Sequence, residues 1–172
     1  MGAGKSTIGR LLAKALDTEF VDSDKEIERR TGVSIPMIFE YEGEAGFRRR
    51  EAEVIRELTE RSDIVLATGG GSVLLPENRA RLRERGFVVY LHCPVDKQLE
   101  RTHKDSNRPL LNTGNPRQRL TELFEMREPI YRELADCIVD TGQNSSRSVV
   151  RQILRAHERA QSHVSAHENP ER

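Results

Sequence analysis

Residues 1–7 read MGAGKST, the latter half of a phosphate-binding loop whose full pattern is G-x-x-x-x-G-K-[ST]. Gly4, Lys5 and Ser6 supply the G-K-S, and the first glycine of the pattern falls ahead of Met1. Such a loop joins a strand to a helix, and a helical pattern does follow. Ile8, Leu11, Leu12, Ala15 and Leu16 keep the i, i+3, i+4, i+7, i+8 spacing of one apolar face. In that setting the backbone N–H groups of Gly2, Ala3, Gly4 and Lys5, with the helix start, would wrap phosphate oxygens. Lys5 would reach the terminal phosphates and the Ser6 hydroxyl would ligate Mg2+. The bland alternative is a chance match ahead of a helix, and the pattern of the rest of the chain argues against it.

Short apolar runs at 20–21, 64–67, 87–91 and 137–139 alternate with helical patterns at about 25–61, 76–85, 95–103, from 117 onward, and 146–160. Gly32 and Gly43 interrupt the first of these, and its second part carries Phe47, Val54, Ile55 and Leu58 on one face. Strands alternating with helices predict an α/β fold, a parallel sheet with helices on both faces. Ligands in such folds bind beyond the C-terminal ends of the strands. The segments at those ends are Asp22-Ser23-Asp24, Thr68-Gly69-Gly70-Gly71, and the stretch before Arg108-Pro109-Leu110-Leu111. One domain over 1–160 and a polar, disordered tail over 161–172 are expected.

Composition narrows the function classes. Lys+Arg and Asp+Glu balance at 28 each in 172 residues, which disfavours a general nucleic-acid or anionic-membrane binder, whose footprint is a basic excess. No apolar run approaches the roughly 18 residues of a membrane span, and the start lacks a signal pattern. Cys93 and Cys137 sit in apolar runs without C-x-x-C spacing and read as buried thiols. His157, His163 and His167 read as solvated. A cytoplasmic protein is expected, and a monomer, because no apolar stripe is left over.

Several side chains call for chemistry. Asp22 and Asp24 lie two apart at a strand end, where an extended chain points both carboxylates to one face; a divalent cation nearby would relieve their repulsion. The alternative is a turn and helix cap, which Asp and Ser also make. Arg127 falls on the apolar stripe Leu120, Leu123, Phe124, Tyr131, Leu134, where something apolar belongs. Arg48 follows core-like Phe47, with Glu51 at i+3 able to hold it. An inward guanidinium either meets an anion or forms a structural ion pair, and two parallel bonds to a carboxylate suit it. Gly69, Gly70 and Gly71 allow the backbone close to a small ligand. Arg108, in an Asn-, Pro- and Gly-rich loop, suits a mobile cover that neutralises a transferring phosphate.

The set GAGKSTIGR, D-S-D, G-F-R-R-R-E, TGGGSV, RPLL and R-E-P-I-Y resembles shikimate kinase, in order and spacing, over about residues 1 to 155. The resemblance implies a three-layer α/β/α P-loop kinase with sheet order 2-3-1-4-5, substrate-binding helices at about 24–61 and a lid at about 107–117. It implies transfer of the γ-phosphoryl group of ATP to the 3-hydroxyl of shikimate, on the way to chorismate and the aromatic amino acids. Carried over by position, Gly2, Ala3, Gly4, Lys5, Ser6 and Thr7 hold ATP, Ser6 holds Mg2+, and Asp22 supports the metal through water. Asp24 binds the shikimate hydroxyls and orients or deprotonates the attacking one. Arg48 and Arg127 clamp the carboxylate with Gly70 N–H assisting, beside Gly69 and Gly71. Lys5 and Arg108 act on the phosphates, and Arg101 and Gln143 belong to the adenine pocket.

Against that pattern the first strand, central in the sheet, and the first loop glycine lie ahead of Met1. A chain without them is expected to fold poorly and bind ATP weakly, and a natural product beginning roughly ten residues upstream is expected. Two other readings stay open: another small P-loop kinase, for gluconate or a nucleoside monophosphate, and a non-catalytic relic.

Overall fold

The computed structural model describes residues 2–102 and 115–167, with side chains as far as Ser162. Helix α1 (Lys5–Leu16) begins at Gly4, whose φ of 83° is left-handed. Gly2 is also left-handed, at φ 68°, so the loop is bent by two residues that lack a Cβ. Strand β1 (Glu19–Asp22) leads into α2 (Ser23–Thr31), and α3 (Ile35–Leu58) returns the chain to β2 (Ile64–Ala67). Gly32 closes α2 at φ 71°, and Gly43, at φ 69° and ψ −178°, breaks α3 in two. Both breaks stand where the sequence puts them.

After a 3₁₀ turn (Ser72–Leu74) come α4 (Pro76–Arg85), β3 (Val89–His92), α5 (Val95–Thr102), α6 (Pro116–Leu134), β4 (Cys137–Asp140) and α7 (Ser146–His167). β1 pairs parallel with β2, Phe20 opposite Val65. β3 pairs parallel with β4, Tyr90 opposite Ile138. The described strands thus form two parallel pairs; the alternating pattern predicts the parallel sense but a single sheet.

Each pair has its own core. Ile27, Ile38, Phe47, Val54 and Leu58 pack against β1 and β2. Ile8, Val149, Val150 and Ile153 pack around Val139 of β4 and against Val89 and Leu91 of β3. Between the pairs lies a cavity of about 450 Å³ lined by β2, β3 and the apolar faces of α1 and α6. Ile64 to Ala67 of β2 and Val89 to Leu91 of β3 both line it.

Four details differ from expectation. Asp22-Ser23-Asp24 is not extended throughout: Asp22 ends β1 and caps α2, and Ser23 and Asp24 form its first turn. α7 continues to His167, into the stretch expected to be a tail, because Gln161 to His167 contain no glycine or proline to stop it. Cys93 is buried but Cys137 only half-buried at the start of β4. His157, expected to be solvated, packs edge-on against Phe87, ring centroids 5.2 Å apart.

The helix surfaces carry a testable ion-pair cluster. Hydrogen bonds from Arg29 and Arg30 hold the Glu26 carboxyl well below the usual carboxylate range, at about 2. A depressed folded value stabilises above the unfolded value and is lost as pH falls through that window. The melting temperature is therefore expected to drop as pH is lowered from about 4.5 toward 2, and Glu26→Gln to shallow that drop. Identical pH profiles for the two chains, followed by circular dichroism, would contradict this.

Candidate functional site

The phosphate loop, the ends of β1 and β2, and the second half of α3 face one another. At the first corner, the Ser6 hydroxyl on α1 lies 3.2 Å from Asp22 Oδ2. The other Asp22 oxygen accepts the N–H groups of Asp24 at 3.0 Å and Lys25 at 3.4 Å. The capping and metal-supporting readings of Asp22 are therefore compatible, since each uses a different oxygen. A hydroxyl beside a carboxylate is a hard oxygen pair of the kind that suits Mg2+, which keeps several water and phosphate ligands. Among the described residues no group of three or more His, Cys, Asp or Glu could hold a metal by itself.

The triple glycine forms the second corner. Each glycine leaves the space of a side chain to a different site residue. A Cβ on Gly69 would sit 2.8 Å from Glu51 Oε1 and 2.9 Å from Asp24 Oδ1; one on Gly70 would sit 3.2 Å from the Tyr131 hydroxyl and 3.5 Å from Arg127 Nη1. One on Gly71 would overlap the Arg48 guanidinium. None of the three has a positive φ, so close approach, rather than backbone freedom, requires glycine here. The turn is tied down as well: Gly69 N–H donates to Ser23 Oγ, Ser72 Oγ donates to Gly69 O, and the Tyr131 hydroxyl donates to Gly70 O. Gly71→Ala is expected to push the Arg48 guanidinium aside and raise KM for an anionic acceptor about tenfold or more, with little change in melting temperature. Unchanged KM in steady-state kinetics would refute that.

Arg48 and Arg127 both point inward, as the sequence suggests. Arg127 is 6% exposed, and its Nε has no hydrogen-bond partner. Arg48 donates from Nη1 to Glu51 Oε2 at 2.7 Å, and from Nε and Nη2 to Glu44 Oε1 at 3.3 and 3.0 Å. Glu51 is wholly buried, and burial pushes its carboxyl above the usual range against the opposing pull of Arg48. Its second oxygen, Oε1, is buried without a partner. A buried donor or acceptor left unmatched costs about 1–3 kcal/mol. A ligand that brings both a carboxylate and hydroxyl groups would satisfy Arg127 Nε and Glu51 Oε1 together.

The third corner is formed by α5 and the end of β4. Arg101 donates to Gly2 O at 3.1 Å and to Thr141 O at 2.7 Å, joining the phosphate loop to the 142–144 turn. Gly142 and Gln143 N–H both donate to Asp140 Oδ1. Arg101 and Gln143 thus share one edge of the site with the loop. Ala3 is buried beneath it, and Lys5, Ser6 and Thr7 form the first turn of α1. Arg108 and residues 107–114 of the expected lid (107–117) lie outside the described residues, while Asn115 caps α6 and Pro116 and Arg117 begin it.

Sequence reasoning missed Glu44, Tyr131 and Ser23. Tyr131, four residues after Arg127 on the same helix face, also hydrogen-bonds the Arg127 side chain, and that spacing was a usable signal. Ser23 gave no signal beyond its place between two aspartates.

Comparison with known proteins places the chain in a family. The family model described as shikimate kinase matches residues 1–158. A shikimate kinase of Methylococcus capsulatus is 72% identical over 160 residues, covering 93% of this chain and 89% of the relative. One from Acinetobacter baylyi is 58% identical, covering 90% and 86%. Among solved structures, shikimate kinase from Acinetobacter baumannii in complex with shikimate is 55% identical and superposes with a TM-score of 0.87, covering 90% of this chain and 86% of that one.

Proposed function

The chain belongs to the shikimate kinase family, and from that premise we propose how its residues transfer the ATP γ-phosphoryl group to the 3-hydroxyl of shikimate. The observation that carries the reading is the triple glycine: its three missing side chains make room for Asp24 and Glu51, for Arg127, and for Arg48. A small carboxylate bearing vicinal hydroxyls matches that set, cations for its carboxylate and carboxylates for its hydroxyls. Neither gluconate nor a nucleoside monophosphate is favoured by any feature here, and the relatives argue for shikimate.

In the proposed mechanism the N–H groups of Gly2 to Ser6 and the start of α1 receive the phosphates, and Lys5 neutralises charge on them. Ser6 and Asp22 would hold Mg2+, and an ion there would supply positive charge against the negative charge that develops on the phosphates. Arg48 and Arg127 grip the shikimate carboxylate and fix the ring. Asp24 accepts the proton of the 3-hydroxyl as its oxygen bonds to the γ-phosphorus; the bond from that phosphorus to the β-phosphate oxygen breaks, and ADP leaves. Phosphoryl transfer asks the protein mainly for positioning and charge neutralisation, and these residues are suited to both. Arg101 and Gln143 border the adenine, Arg108 neutralises the transferring group, and the enzyme works as a cytoplasmic monomer on this reading.

Shikimate-dependent ADP release from ATP and Mg2+ tests the proposal; ADP release indifferent to shikimate would reject it. Arg127→Ala is expected to weaken shikimate binding about tenfold or more, since it removes a charge-assisted bond in a buried site, while ADP binding is unchanged. Equal losses of both ligands by calorimetric titration would mean that Arg127 has another role.

A further inference from the structure

We propose that Glu44 is a built-in competitor for the substrate carboxylate, occupying Arg48 in the free enzyme and leaving when shikimate binds. The inference rests on the reading of Arg48 as a carboxylate ligand. A guanidinium offers a carboxylate its best purchase along an edge where two N–H groups lie parallel. One such edge of Arg48, made by Nε and Nη2, is already engaged by Glu44 at 3.3 and 3.0 Å. Both bonds converge on the single oxygen Oε1, which is poorer than two parallel bonds to two oxygens. A ligand carboxylate able to make both bonds therefore has the advantage over Glu44.

The two carboxylates that hold Arg48 differ in kind. Glu51 is 0% exposed and Glu44 is 56% exposed, while Arg48 itself is 13% exposed. The Glu51 contact is inside the protein and persists; the Glu44 contact faces water, where a released carboxylate is readily hydrated. The backbone also permits release. Glu44 directly follows Gly43, where the left-handed φ of 69° breaks α3, so Glu44 starts the second half of the helix. Its exposed side chain can swing into water by rotating about its own bonds, with the backbone that carries Arg48 and Glu51 unmoved.

The consequence is a tuned affinity. When only the Glu44-free fraction of the enzyme binds, apparent affinity is lowered by that fraction. Exposed ion pairs of this type are weak, so the fraction corresponds to about a two- to fivefold reduction. Shikimate binding is to be measured by titration calorimetry on the unaltered chain, Glu44→Gln and Glu44→Asp, with kcat and ADP binding alongside. Gln cannot form the ion pair, and Asp keeps the charge but is one methylene too short to reach Nη2. Both variants are expected to bind shikimate about two- to fivefold more tightly, with kcat and ADP affinity unchanged. Unchanged or weaker binding in Glu44→Gln would overturn the inference. Tightening by Gln but not by Asp would also overturn it, because through-space repulsion would then account for the effect. Shikimate binding to none of the three chains would overturn the functional reading and this inference with it.

Discussion

Asp24→Asn is expected to lower kcat by at least about a hundredfold, the usual lower range for losing a general base, while shikimate still binds. Asp24 stands in the first turn of α2, its N–H held by Asp22 Oδ1 at 3.0 Å, so its position does not depend on its own charge. Its Oδ1 would lie 2.9 Å from a Cβ on Gly69, beside Glu51 Oε1, whose other oxygen accepts from Arg48. Asparagine has the same shape and can still hydrogen-bond a shikimate hydroxyl, so recognition survives. It cannot take the proton, so the attacking oxygen stays protonated and a poor nucleophile. Steady-state kinetics together with equilibrium titration separates the two effects. A loss of binding as large as the loss of turnover would show that Asp24 recognises the substrate rather than activating it.

The second large effect concerns the cavity between the strand pairs. A chain lengthened ahead of Met1 by an apolar segment of about five residues, able to lie between β2 and β3, is expected to melt roughly 10–20 °C higher. Four or so side chains buried at about 1.5–3 kcal/mol each, with ladder bonds at about 1 kcal/mol net, oppose an ordering cost of about 1–2 kcal/mol per residue. The difference is on the order of 5 kcal/mol, and each kcal/mol moves the midpoint of a domain this size by about 2–4 °C. A Gly/Ser segment of equal length is the control, since it supplies backbone but no side chains for the apolar walls. Equal midpoints for the two lengthened chains would show that the cavity does not accept a strand. The gain matters for function because β2 and β3 carry the turns that surround the phosphate loop.

The arginines show how far the sequence could be read. Arg127 was conspicuous because a charge on the stripe of Leu120 and Leu123 breaks helix periodicity, and it is indeed buried at 6% exposure. Arg48 was conspicuous beside Phe47, and the Glu51 partner followed from helical spacing. Glu44 satisfies the same spacing rule on the other side, at i−4, yet one-dimensional spacing cannot tell a permanent partner from a displaceable one. That depends on which of the two carboxylates water can reach. For the aspartates, sequence offered two competing uses, and coordinates show Asp22 serving α2 with one oxygen and facing Ser6 with the other.

By itself the sequence determined the element types, the glycine-rich loop ahead of α1 and the glycine breaks at Gly32 and Gly43. These follow from local physics: periodicity decides which face is buried, and glycine decides where a helix can stop. Only the tertiary structure decided which side chain stands in the space of each glycine from Gly69 to Gly71, because α2, α3 and α6 meet there from distant parts of the chain. It also decided that β1–β2 and β3–β4 are separate pairs with separate cores, because a ladder needs an adjacent edge and β2 and β3 have a cavity between theirs.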